Sequence, residues 1–166
     1  IATPYLEPYV IYITIAILSC LFWVQKRGTA SIGKVFGPVM LLWFFIIGLL
    51  GIRGIISAPH VVLAINPIYG LHFLFDKHVH SLIILSSVFL SVTGAEALYA
   101  DMGHFGRKPI RYGWFFVAFP GLLLNYFGQG ALLLSNPHAA ENPFYLLAPN
   151  WALYPMVALA TAAAVI

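Results

Sequence analysis

Six of the eight lysines and arginines fall in two short segments: Lys26, Arg27 and Lys34 in residues 25–34, and Arg107, Lys108 and Arg111 in residues 104–111. Around these segments run stretches of Leu, Ile, Val, Phe and Ala that are long enough to cross a bilayer as helices. This alternation is the tightest constraint on the fold. A chain that confines its charge to connectors has little with which to face water elsewhere, and in lipid a helix satisfies its own backbone. Only 8% of the residues are charged and 61% are hydrophobic, where a soluble domain carries about 25% charged residues. The expectation is an all-α, polytopic membrane protein. The net charge of +3 does not point to nucleic acid, because the basic residues sit where topology determinants sit.

A spanning helix needs about 17 to 25 largely apolar residues. Five candidates appear within a single membrane domain, residues 1–166: residues 8–24, 35–56, 81–100 and 112–134 meet that requirement, and the fifth, residues 152–166, is cut off by the end of the sequence. Pro38 suits the opening turn of the second, and Pro120 is expected to kink the fourth. Of lysine and arginine, residues 57–80 contain only Lys77 and residues 135–151 contain none. Basic loops stay cytoplasmic, so residues 25–34 and 104–111 are placed inside and the other two loops outside. Both outer loops are apolar but interrupted by proline, which suits short helices lying at the interface. Arg53, near the outer end of the second span, is expected to snorkel to the headgroups. Glu141 is expected to be solvated in its loop. Cys20 is the only cysteine, so neither an intrachain disulfide nor a cysteine metal site is available. The chain has no secretory signal pattern, opens on Ile1 and stops inside an apolar run. These features suggest an internal piece of a longer protein.

Residues 92–106, VTGAEALYADMGHFG, place chemistry where a span should be featureless. On a helix Ser86, Thr93, Glu96 and Ala100 share one side. A carboxylate at mid-bilayer costs about 2.5 to 3.5 kcal/mol on insertion scales, so Glu96 is expected to face a bundle interior or a water-filled cavity. Gly94 weakens the helix by about 1 kcal/mol relative to Ala and allows a turn to open. The freed carbonyls must then find partners. Together with the Thr93 hydroxyl and the Glu96 carboxylate they form a donor set for a hard cation that has shed its water. The competing reading has Glu96 reaching water from a tilted span. Asp101 lies at the cytoplasmic end, where solvation and a gate paired to Arg107 or Lys108 stand about equal, and Tyr99 is either a gate hydroxyl or an interface anchor.

Other polar residues have plainer readings. His60, His72, His78 and His80 lie in the first outer loop without sequential metal-ligand spacing. Hydrogen bonding to water and headgroups is favoured over a metal or proton-sensing cluster, and His104 reads as structural. Asn125 and Gln129 are i,i+4 neighbours, with Gly128 and Gly130 allowing close helix approach. Polar bonding between helices is favoured there over contact with a cation.

Four segments carry a resemblance: VTGAEALYADMGHFGRKPIR (92–111), GKVFGPVMLLWF (33–44), LNYFGQGALLL (124–134) and NPFYLLAPNWALYP (142–155). Together they resemble the KUP/HAK/KT potassium uptake permeases, of the bacterial Kup type, over nearly the whole chain and most weakly in 57–80. The resemblance implies a LeuT-like member of the amino acid–polyamine–cation superfamily, with an inverted five-plus-five helix repeat and broken first and sixth helices. The five spans would be the fourth to eighth, and residues 81–100 the broken sixth. It implies potassium uptake by potassium–proton symport in the bacterial inner membrane. Thr93, Gly94 and Glu96 would serve cation binding and proton coupling, and Tyr99 and Asp101 a gate. Potassium at Thr93 and Glu96 would be cargo, with no resident cofactor or other metal. The partners implied are potassium, the proton, the bilayer, the first-repeat helices of the same chain and, as one possible assembly, a second copy in a homodimer. The other broken helix with its Gly-Asp motif is absent from these residues, so this piece alone is not expected to transport. The rivals are an amino acid permease on the same scaffold, a membrane metalloenzyme using His72, His78, His80 and His104, and a purely structural subunit.

Overall fold

A computed structural model describes residues 8–25, 29–76, 78–91, 103 and 106–165, and every element among them is helical. Helix α1 (Val10–Gln25) is apolar on all sides, and its Thr14 hydroxyl donates to the Val10 carbonyl at 2.8 Å. That bond hides a polar group inside its own helix. Helix α2 (Thr29–Ser57) starts earlier than the hydropathy suggests, which places Pro38 inside the helix instead of in its opening turn. The helix passes through the proline by forgoing one i→i−4 bond. Its stretch Phe36–Ser57 is long and apolar enough to cross a membrane: 22 residues rise about 33 Å against a hydrocarbon core of about 30 Å.

The connection after α2 is helical, not irregular. A 3-10 helix (Pro59–Ile65) and α3 (Pro67–Asp76) each start on a proline, whose fixed φ suits a first turn and whose missing N–H costs nothing there. Asn66 accepts from the Ile68 N–H at 3.1 Å and so caps α3. Helix α4 (His78–Ser91) folds against α3, and the buried Ser81 donates its hydroxyl to the Phe73 carbonyl at 2.7 Å.

Residues Arg107–Ser135 form one continuous helical rod, also long and apolar enough to span. It comprises α5 (Arg107–Gly113), a π-helical turn (Trp114–Ala118) and α6 (Phe119–Ser135). The cause of the widened turn is local. Pro120 has no N–H to give the Phe116 carbonyl, and its ring would collide with that carbonyl in a regular helix. The chain adapts with a wider loop, in which the Phe119 N–H donates to Trp114, five residues back. The expected disturbance at Pro120 is therefore a π turn just before it.

Beyond α6 come a 3-10 helix (Pro137–Glu141), α7 (Pro143–Leu146), a second 3-10 helix (Asn150–Ala152) and α8 (Leu153–Val165). The most extensive packing joins α2 to α6. A small core of Ile47, Ala148 and Met156, flanked by Trp43, Leu50 and Phe144, ties α8 and the preceding loop to α2. The Trp43 and Phe144 rings lie 5.6 Å apart in a tilted pair. Large apolar side chains such as Leu42, Phe45, Ile83, Phe89 and Phe116 remain exposed. That would be a liability in water and is the ordinary condition of a chain that meets lipid and further helices.

Candidate functional site

Thr93, Gly94, Glu96, Tyr99 and Asp101 lie outside the described residues. What is described are the two ends that lead into them. Helix α4 ends at Ser91, with the Ser87 hydroxyl satisfied by the Ile83 carbonyl at 3.1 Å. On the other side, Gly106 holds φ 79° and ψ 160°, the one positive φ among the described residues, and α5 begins at the next residue. That backbone region is essentially closed to side chains. A glycine is therefore required where the 92–111 segment turns into the spanning rod.

The built interface is elsewhere, between α2 and α6, and it is made by glycine. A Cβ on Gly51 would fall on the Leu124 carbonyl, and one on Gly54 would lie 2.7 Å from the Gly128 carbonyl oxygen. From the other side, a Cβ on Gly121 would come within 2.8 Å of the Phe44 carbonyl oxygen. The two backbones touch along this seam, which side chains elsewhere would hold apart. Of the two glycines expected to allow close approach, Gly128 meets the backbone of Gly51 and Gly130 faces the side chain of Val61. The glycines on the α2 side, Gly48, Gly51 and Gly54, carry only their three-residue spacing as a signal in the sequence.

Asn125 sits in the middle of this seam, 4% exposed. Its Nδ2 donates across the interface to the Ile47 carbonyl at 3.4 Å, and its Oδ1 accepts from Nε2 of Gln129 one turn on. Asn125 thus provides the polar bond between helices that was favoured for this pair, while Gln129 bonds to Asn125 within α6. A single interhelical bond in a membrane is worth about 0.6 kcal/mol on average and at most about 1.7. The long Asn125 bond belongs near the lower figure. Asn125→Leu in the full-length parent protein is therefore expected to lower stability by about 0.6 kcal/mol or somewhat more, read as a small drop in thermal midpoint in detergent. A midpoint equal to or above that of the wild type would remove this bond from the account.

The remaining candidates separate. His60 and His72 are exposed in the connection between α2 and α4, while the side chains of His78, His80 and His104 lie outside what is described. Among the described residues no group of three or more His, Cys, Asp or Glu side chains is placed to hold a metal ion. Arg53 is exposed, and its carbonyl accepts from the Ser57 hydroxyl at 3.1 Å. An apolar groove of about 730 Å³ runs beside the α2–α6 seam, lined by Leu41, Phe45, Ile52, Val117 and Leu124 among others. It offers shape but no polar chemistry.

Comparison with known proteins adds what these residues do not carry. The family model for the K+ potassium transporter integral membrane domain matches residues 1–166. The chain is 58% identical over its whole length to the probable potassium transport system protein Kup 1 of Dechloromonas aromatica, covering 26% of that protein. It is 58% identical over its whole length to the probable potassium transport system protein Kup of Bdellovibrio bacteriovorus, covering 25% of it. It is 55% identical to the low affinity potassium transport system protein Kup of Pectobacterium atrosepticum, again over the whole chain and 27% of the relative. The chain thus spans about a quarter of the length of these relatives. No solved structure matches it.

Proposed function

Because the chain belongs to the K+ potassium transporter integral membrane domain family, we propose that it is part of a bacterial plasma-membrane transporter that takes up potassium by symport with protons. The observation that carries the reading is identity of 54 to 58% across all 166 residues with relatives named as potassium transport proteins. At that level, unbroken along the chain, the membrane chemistry of the segment is expected to be shared.

The architecture proposed is five spans of an inverted five-plus-five repeat, with residues 25–34 and 104–111 in the cytoplasm. The clustering of basic residues in those two loops supports the orientation. In this reading residues 92–101 form a break in the third span. Thr93 and carbonyls freed around Gly94 replace part of potassium's water shell. Glu96 takes up a proton from the outside and releases it inside, since desolvation favours the neutral acid until a path to water opens. Tyr99 and Asp101 close the cytoplasmic side. Helices of the first repeat complete the site, and a homodimer is the assembly proposed.

The reading is tested on the full-length parent protein in cells lacking other potassium uptake systems. Rubidium uptake that potassium displaces and amino acids do not is the expected result. Uptake of an amino acid with no rubidium uptake would replace it with the permease reading.

A further inference from the structure

A second pocket, of about 370 Å³, lies in the connection between α6 and α8 and differs in kind from the apolar groove. Its polar lining comes from His138, Glu141, Asn142, Tyr145 and Asn150. The walls are held in place. The Asn136 side chain accepts from the His138 N–H at 3.2 Å, the Asn142 N–H donates to Ala139 at 3.2 Å, and the Leu146 N–H donates to Asn142 at 3.2 Å. Ala139, Leu147 and Ala148 are buried, and Phe144 packs beside Trp43, so the connection is docked on the helices. Polar groups on a docked scaffold keep their arrangement without paying for it anew at each encounter with a ligand.

Besides the His138 imidazole, the polar lining offers a carboxylate, two amides and a phenol, hard oxygen groups of the kind that meet an alkali cation or its water. Residues 135–151 contain no Lys or Arg, so no fixed positive charge of the segment opposes Glu141, and His138 is the one basic side chain beside it on the pocket wall. The volume holds on the order of ten waters at roughly 30 Å³ each, room for a monovalent ion with its first shell. We propose that this pocket collects hydrated monovalent cations on the outer face, with the Glu141 carboxylate supplying the charge and the amides and phenol meeting the ion's water. The proposal rests on the potassium-uptake reading and on the outer placement of this connection, and it gives Glu141 a role beyond plain solvation.

The test is rubidium uptake from the outside by the full-length parent protein, comparing wild type, Glu141→Gln and Glu141→Asp at equal amounts in the membrane. A unit charge roughly 6 Å away in water changes local cation concentration by about threefold without salt. Glu141→Gln is therefore expected to raise KM about threefold at low ionic strength with unchanged maximal rate, while Glu141→Asp stays near wild type. In about 1 M choline chloride, where screening acts over about 3 Å, the difference should vanish. An unchanged KM at low salt, a loss confined to maximal rate, or a KM difference that persists at high salt would each overturn the proposal. Absence of rubidium uptake by the wild type would instead overturn the transport reading beneath it.

Discussion

Gly51→Ala is expected to destabilise the membrane domain by about 3 kcal/mol, the upper end of what overpacking costs, while Gly48→Ala leaves it unchanged or slightly steadier. Both substitutions add one methyl to α2, and both gain up to about 1 kcal/mol of helix propensity. They differ in what the methyl meets. At Gly48 it finds Gly121 Cα at 3.7 Å and a Leu124 methyl at 3.8 Å, ordinary contact distances. At Gly51 it lands on the backbone of Leu124 and Asn125, which cannot swing aside as a side chain does. The helices must separate, and separation also stretches the Asn125–Ile47 bond that is already 3.4 Å long. A native domain has about 5 to 15 kcal/mol in hand, so the loss should show as a clear drop in thermal midpoint of the full-length parent protein in detergent. Equal midpoints for the two variants would mean that α2 and α6 do not meet backbone to backbone.

The second large effect concerns Glu96, which lies outside the described residues and whose role is proposed from the sequence. Glu96→Gln keeps the shape and the hydrogen-bonding reach of the side chain but removes its ability to exchange a proton. If Glu96 carries the proton, the variant should lose proton-coupled accumulation altogether, because no step then links the proton gradient to the cation. Some downhill potassium movement should survive, since the Thr93 hydroxyl and the backbone oxygens remain. If Glu96 only reaches water at the end of a tilted span, the variant should behave as wild type.

How far the chain could be read in advance differs from element to element, for physical reasons. The spanning stretches of α2 and the Arg107–Ser135 rod are legible because lipid demands long apolar helices and allows little else. The early start of α2 at Thr29 is not legible from hydropathy, since the extra turns are polar and helix formation does not require them to be apolar. Pro120 announces a disturbance, but whether a helix answers with a kink or a π turn depends on how the preceding turn repacks. The prolines at 59 and 67 read as interruptions of a span, and they do interrupt it, yet each also starts a new helical turn.

The α2–α6 seam shows the same division. Asn125 and Gln129 stand out by i,i+4 spacing on an apolar helix; Asn125 bonds across to α2, and Gln129 bonds to it along α6. The glycines at 48, 51 and 54 stay silent until their partner helix is known, because a small residue marks close approach only where another backbone arrives. At the proposed transport site the sequence goes furthest: the 92–106 motif and the family match carry the reading, with Gly106 at φ 79° standing immediately before α5.

The most direct test of potassium–proton symport through this segment is a paired flux measurement on the full-length parent protein in sealed liposomes, wild type beside Glu96→Gln. Rubidium uptake and internal acidification are recorded together under an imposed pH gradient. The account predicts that the two fluxes rise together in the wild type and that the variant acidifies no faster than empty liposomes. Matched rubidium and proton fluxes in both proteins would contradict it and show that Glu96 is not the coupling carboxylate.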